Sequence, residues 1–173
     1  KGLQATGSTA TWSPNFGFAL AAQRIADEEI QGLRLDGVRG FWNAAERIHH
    51  ETLVAFEKRF APFGLRRDAL KTNFGCAENV GGATFSAVDA PFVVEHVDRA
   101  LLYGKQLAKP APDRAGAADT VAVVSAGRAH PGITIDIISP RGKVLPDGHV
   151  GEVALHTPSK MAGYLHDKES SDR

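Results

Sequence analysis

The chain has 173 residues, 43% of them apolar, which suits one unit with a real core and argues against a disordered segment. Lysine plus arginine equals aspartate plus glutamate at 20 each, so no basic field points to nucleic acid or to an anionic membrane surface. A single cysteine, Cys76, permits no internal disulfide and no multi-cysteine zinc site, a usage that fits the cytoplasm.

No apolar run approaches the ~20 residues of a membrane span, so no stable membrane insertion is expected, and no signal-peptide pattern is present. The chain opens on Lys1, its sole methionine is Met161, and it closes on the polar "HDKESSDR". A fragment of a longer chain is expected.

In chain order, "STATW" at 8–12 predicts a short strand. "SPNFGFALAAQRIADEEI" follows, with Phe18, Ala21, Ala22 and Ile25 at helical spacing and Asp27, Glu28 and Glu29 opposite. Ser13 or Asn15 is the expected cap. "VRGFW" at 38–42 reads as a strand ending in "NAAE". "HHETLVAFEKRF" is an amphipathic helix with Leu53, Phe56 and Phe60 on one face, and Gly64 ends the turn after it. "ALKTNF" at 69–74 is a further strand.

Alternating strands and helices predict an α/β layer with a mostly parallel sheet and flanking helices over residues 1–118. Ligands of such sheets gather at the carboxyl ends of the strands. "NAAE" and "FGCAEN" both fall at such ends, which suggests one shared site.

Within that half, 87–118 is a loop-rich connector with one helical candidate, "HVDRALLYG", and a Pro/Ala-rich stretch, "KPAPDRAGAAD". Strands are predicted at 120–127, 133–139 and 150–156, with turns at 139–143 and at Pro146-Asp147-Gly148. Residues 119–173 therefore read as an antiparallel, distorted barrel-like β subdomain of the same domain.

The glycine-rich stretch "TNFGCAENVGGATFS" at 72–86 is the main chemical candidate. It lacks the lysine and hydroxyl of a P-loop and the spacing of a dinucleotide loop, so turn glycines are the better reading. "ATGSTAT" at 5–11 also lacks a lysine and reads better as a strand. Cys76 reads as a small half-buried filler rather than a nucleophile. Glu78, just past a strand end, suits a hard cation such as Mg²⁺ and equally suits the cap of a following helix. The seven histidines contain no H-x3-H pair, so a zinc site is not expected.

Read together, "TWSPNFGFAL", "FWNAAE", "NFGCAE", "VDRALLYG" and "VSAGRAHPGITIDIISPRGKVLPDGHVGEVALHTPSKMAGYL" resemble, in this order, the adenylate-forming superfamily of acyl-CoA synthetases, adenylation domains and luciferases. They look most like its fatty acyl-AMP ligase branch, over residues 11–165.

The resemblance implies ATP, Mg²⁺ and a fatty acid as reactants. An acyl-adenylate forms with release of pyrophosphate, and the acyl group passes to the thiol of an acyl carrier protein. In the acyl-CoA synthetase branch coenzyme A is the acceptor, and a non-catalytic nucleotide- or acyl-binding relative is the third alternative.

By position, Glu78 matches the glutamate that helps hold Mg²⁺ against the phosphates, which tips its reading toward the metal. Asn73 and Phe74, with the backbone of Gly75, Cys76 and Ala77, match the nucleotide-lining stretch. Asn43, Ala44, Ala45 and Glu46 match the segment beside adenine, and Pro14, Asn15 and Phe16 the stretch beside the acyl tunnel.

Three positions depart from the pattern: Ala44 stands for glycine, Arg47 for a common proline, and Phe74 for tyrosine. The family's phosphate loop with its Pro-Lys, its ribose-binding aspartate and its mobile domain with the catalytic lysine have no counterpart in these residues. The isolated fragment is therefore expected to be inactive.

Overall fold

A computed structural model describes residues 2–172. A short helix, α1 (Gly2–Thr6), leads into β1 (Ala10–Ser13), α2 (Asn15–Arg24), β2 (Gly40–Asn43), α3 (His50–Phe60) and β3 (Leu70–Cys76). β1, β2 and β3 lie side by side and parallel, with Trp12 beside Trp42 and Phe41 beside Leu70.

The chain then reverses. A 3₁₀ turn at Ala77–Asn79 leads into β4 (Gly81–Phe85), antiparallel to β3. The stretch 72–86 is thus a β-hairpin with a bulge between Phe74 and Gly75, rather than only a bend at a strand end. β4 is short and opens on two glycines, so it lacks the alternating apolar pattern that marks a strand.

The sheet positions its ligand end through one apolar layer. Phe18 of α2 and Leu53, Phe56 and Phe60 of α3 pack on Phe41, Leu70 and the connection Ile30, Leu33, Leu35 and Val38. Each such side chain contributes roughly 1.5–3 kcal/mol by leaving water. Phe18 meets Phe56 edge-on at 4.9 Å between centroids, and Phe56 lies 4.6 Å from Phe60. The α3 spacing read from sequence is the face observed.

The opposite face carries Trp12 stacked on Trp42 at 5.7 Å, with Phe85 edge-on to Trp42. Lys71, with no exposed surface, lies in β3 beside Trp42. Its ammonium donates to the carbonyls of Ala87 (2.8 Å) and Ala90 (2.7 Å), holding the loop that leaves β4.

Several local expectations are corrected. The α2 helix stops at Arg24, and "DEEI" forms a separate 3₁₀ turn. Neither Ser13 nor Asn15 caps it: Pro14 is at the N-cap position and gives no side-chain bond. "HVDRALLYG" splits into β5 (Val94–Asp98) and α4 (Arg99–Lys105), because the Asp98 carboxylate accepts the Leu101 N–H and starts the helix there.

β6 (Thr120–Val124) pairs antiparallel with β5. The strand is shorter than expected because Ser125 and Ala126 turn their carbonyls to other partners, accepting from Thr72 Oγ1 (2.7 Å) and Thr84 Oγ1 (2.6 Å). β7 (Arg128–Ala129) then joins β4, completing the order β1-β2-β3-β4-β7.

β8 (Thr134–Ile138) and β9 (Glu152–His156) form a separate two-stranded ladder, and α5 (Lys168–Ser171) follows. No barrel is formed among the described residues: β5–β6 and β8–β9 remain separate pairs, and β7 joins the main sheet.

Candidate functional site

The carboxyl ends of β2 and β3 lie side by side, with Asn43 opposite Thr72. Just beyond them opens a cavity of about 420 Å³, within the range of small-molecule sites. One wall is Ala45, Glu46, Arg47 and Ile48; another is Asn73, Phe74 and Gly75; the third is Ala122, Val123, Val124 and Ala126 of β6 and its exit.

Ala45, Glu46, Asn73, Phe74 and Gly75 therefore share one cavity. Arg47, which departs from the family pattern, lines it too, and the other residues singled out from sequence stand outside its lining. Asn43 is buried behind it, donating from Nδ2 to Asn15 Oδ1 at 3.1 Å. Asn15 Oδ1 also accepts the His49 N–H at 3.1 Å, and Asn15 Nδ2 donates to Thr52 Oγ1 at 3.2 Å. These bonds tie the end of β2 to the starts of α2 and α3.

Pro14 is half-buried at the entry to α2, and Phe16 is 58% exposed. Ala44 is half-buried, and the left-handed backbone falls on Ala45 (φ 70°) instead. Alanine at 44 in place of glycine therefore carries no left-handed strain.

The hairpin end needs glycine at 75. A Cβ there would sit 2.1 Å from the Gly81 carbonyl oxygen, and such an approach forces the backbone apart. Next to it, Asn73 Oδ1 is buried with no hydrogen-bond partner. Asn43 Oδ1 and Asn79 Oδ1 are buried in the same way, and an acceptor buried without a donor costs free energy.

Cys76 is half-buried, Ala77 is exposed, and Glu78 is at the hairpin turn, away from the cavity wall. The Tyr164 hydroxyl donates to Glu78 Oε1 at 2.5 Å, and the Met161 N–H donates to the Glu78 carbonyl at 2.8 Å. The Tyr164 hydroxyl, then the backbone N–H of Glu78 itself and the Cys76 thiol, hold this carboxyl below the usual carboxylate range, against the opposing effect of burial. The same contact raises the Tyr164 phenol.

No group of three or more His, Cys, Asp or Glu side chains is placed to hold a metal among the described residues. A cation here would have the Glu78 carboxylate alone, a donor set that suits Mg²⁺ held mostly by phosphate oxygens and water, not a protein cage.

Sequence reasoning missed the β6 wall and Ile48. β6 reaches the cavity through its pairing with β5 and through the Thr72 and Thr84 hydroxyls. Those partners are dozens of residues away, so no local pattern could have shown them.

A mixed α/β sheet with a cavity beyond its parallel strands and a carboxylate on the adjoining hairpin is part of the adenylate-forming enzyme fold. The family of AMP-binding enzymes matches residues 4–165, and the chain belongs to that family.

Among curated relatives, the long-chain-fatty-acid–AMP ligase FadD32 of Mycobacterium marinum is 34% identical over 170 residues, covering 96% of this chain and 26% of the relative. The long-chain-fatty-acid–AMP ligase FadD26 of the same organism is 33% identical over 162 residues, covering 93% and 27%. A solved fatty acyl-adenylate ligase, from work on the E. coli and L. pneumophila enzymes, superposes with a TM-score of 0.91 at 28% identity, covering 98% of this chain and 30% of that one. The chain thus spans about a quarter of the length of the curated relatives it matches.

Proposed function

We propose that this chain supplies the adenine-facing part of an ATP-dependent ligase that activates a fatty acid. A carboxylate oxygen of the acid attacks the α-phosphorus of ATP, the bond to the bridging oxygen breaks, and pyrophosphate leaves, giving an acyl-adenylate. The acyl carbon then passes to the thiol of a carrier-protein phosphopantetheine arm, and AMP departs.

The observation that carries this reading is the cavity itself, lined by Ala45 and Glu46 of "NAAE" and by Asn73, Phe74 and Gly75 of "NFG" in a chain of the AMP-binding family. The Phe74 ring on its wall suits the π-face of adenine. Relatives named as fatty-acid–AMP ligases supply the acid and the product class.

Glu78 would hold Mg²⁺ against the phosphates. When bound, the cation offsets the negative charge that builds on departing pyrophosphate. The residues of this chain orient the adenine, exclude water with the Ala122–Val124 side of β6, and fix the carboxylate through the hairpin.

Because the chain spans a quarter of its relatives, the activity is assigned to the complete protein. The test is fatty-acid-dependent ATP–pyrophosphate exchange by the complete protein, followed by acceptor choice. Acylation of a holo carrier protein, and not of coenzyme A, is expected. Transfer to coenzyme A would instead support the acyl-CoA synthetase reading, which a relative named as a fatty-acid–CoA ligase, FadD25 of Mycobacterium tuberculosis (32% identical), keeps in play. The 173-residue chain alone is expected to show no exchange above its Glu78→Ala variant.

A further inference from the structure

The half-buried Glu78 lies in the turn between β3 and β4, and its side chain has several rotatable bonds to be fixed. Its fixed geometry comes from a segment 86 residues later in the chain: the Tyr164 hydroxyl bonds Oε1 at 2.5 Å. This is in the range of a short bond to an ionised acceptor. Met161 secures the backbone of the same residue by donating its N–H to the Glu78 carbonyl at 2.8 Å.

Tyr164 is itself held in place. Its N–H donates to Ser171 Oγ at 2.8 Å, and Ser171 Oγ donates in turn to the Asp167 carbonyl at 2.6 Å. Asp167 caps α5 by accepting the Ser170 N–H at 2.9 Å. Gly163 (φ 146°) and His166 (φ 58°) give the backbone the reversals this small clamp needs. Tyr164 is 45% exposed, so its ring is not a core element whose burial would explain its place.

We infer that Tyr164 is a positioning residue for the cation that Glu78 holds, an inference that rests on the reading of Glu78 as the Mg²⁺ ligand. The chemistry favours a phenol in this role. A lysine or arginine would neutralise the carboxylate it orients, whereas a tyrosine hydroxyl is a neutral donor and leaves the full negative charge for the cation. A carboxylate offers about four lone-pair sites, so one bond to Tyr164 leaves room for a metal. Partners behind a ligand typically tune metal affinity by about 10–100-fold.

The experiment measures the affinity of the complete protein for a non-hydrolysable ATP analogue by calorimetry, once with Mg²⁺ and once with chelator. The ratio of the two is the gain due to the cation. Tyr164→Phe keeps the ring and deletes the hydroxyl. It is expected to cut that gain about tenfold, by the size of effects seen for partners behind metal ligands, while leaving the chelator arm unchanged. Glu78→Gln is expected to abolish the gain, and Tyr164→Phe to add nothing further on that background.

A purely structural role for Tyr164 would weaken both arms alike, which overturns the inference. If Glu78→Gln removes the gain but Tyr164→Phe leaves it intact, the inference fails and the reading of Glu78 stands. If Glu78→Gln leaves the gain intact, the reading of Glu78 falls, and the role of Tyr164 falls with it.

Discussion

The Phe16 N–H donates to Glu46 Oε1 over 2.6 Å, so the first turn of α2 is capped by a carboxylate 30 residues later in the chain. One bond thus joins the stretch expected beside the acyl group to the stretch expected beside adenine. It also explains why α2 starts on Pro14 with no cap of its own: the free N–H is satisfied from the cavity wall.

Glu46→Ala should therefore cost about 1 kcal/mol, the usual worth of a helix N-terminal cap. Glu46→Gln keeps an acceptor and should cost less, losing only the attraction between the carboxylate and the helix dipole. Urea unfolding of the two variants beside the parent checks the order. Equal stability of all three would show that water satisfies Phe16 as well as Glu46 does.

Gly75→Ala should distort the hairpin. The added Cβ meets the Gly81 carbonyl carbon at 2.7 Å as well as its oxygen at 2.1 Å, and both are backbone atoms that cannot rotate away. Overpacking of this kind costs about 1–3 kcal/mol. The loss should be accompanied by faster amide exchange across Gly81–Phe85, because the β3–β4 ladder is the part forced open. Gly104→Ala, where nothing lies within 4 Å, is the control and should be neutral or slightly stabilising.

The sequence made much of this legible, and its limits follow from contact distance. α3 was readable because Leu53, Phe56 and Phe60 repeat at i, i+3 and i+7, and the helix buries that face. β2 was readable because Phe41 and Trp42 form a short apolar run ending in a polar tip, whereas β3 carries the polar Lys71, Thr72 and Asn73 in its middle. The family was readable because five motifs keep their order, and no single motif would have sufficed.

β4 was not readable, since "GGATF" has only three side chains and its pairing is set by the turn before it. β5 hid because Asp98 belongs both to the strand and to the cap of α4. The Thr72 and Thr84 bonds to the exit of β6 and the Tyr164–Glu78 bond join residues 42 to 86 apart in the chain, about which periodicity is silent.

If the Asn73 side chain, on a residue that lines the cavity, turns its now buried Oδ1 toward a bound base, it reads that base. Asn73 Oδ1 is an acceptor, so it favours a base that presents an amine and disfavours one that presents a carbonyl. The complete protein should bind ATP more tightly than ITP. Asn73→Ala should lose about 1–1.5 kcal/mol of ATP affinity, the scale of one net hydrogen bond, and should narrow the preference. Calorimetry with both nucleotides on both proteins measures this. A parent that does not distinguish ATP from ITP would remove Asn73 from the base-reading role.

Lys71 provides the clearest pH dependence. Burial pushes its ammonium below the usual lysine range, against the pull of the Asp68 and Asp89 carboxylates. The unfolded chain keeps a pKa of about 10.4, so between the lowered folded value and about 10.4 the unfolded state binds more protons. Stability then rises with pH across that window, because unfolding takes up a proton that higher pH makes scarcer. The neutral amine still has two N–H donors, which match the two carbonyls of Ala87 and Ala90. Lys71→Met has no such titration and leaves both carbonyls without their donor. It should be less stable than the parent by about 2–3 kcal/mol near neutral pH, the worth of losing bonds from a charged donor to buried acceptors. The gap should widen as the pH approaches 10, which guanidinium unfolding at a series of pH values would show. A gap that stays constant would mean that Lys71 titrates alike in both states and that its burial is relieved by water.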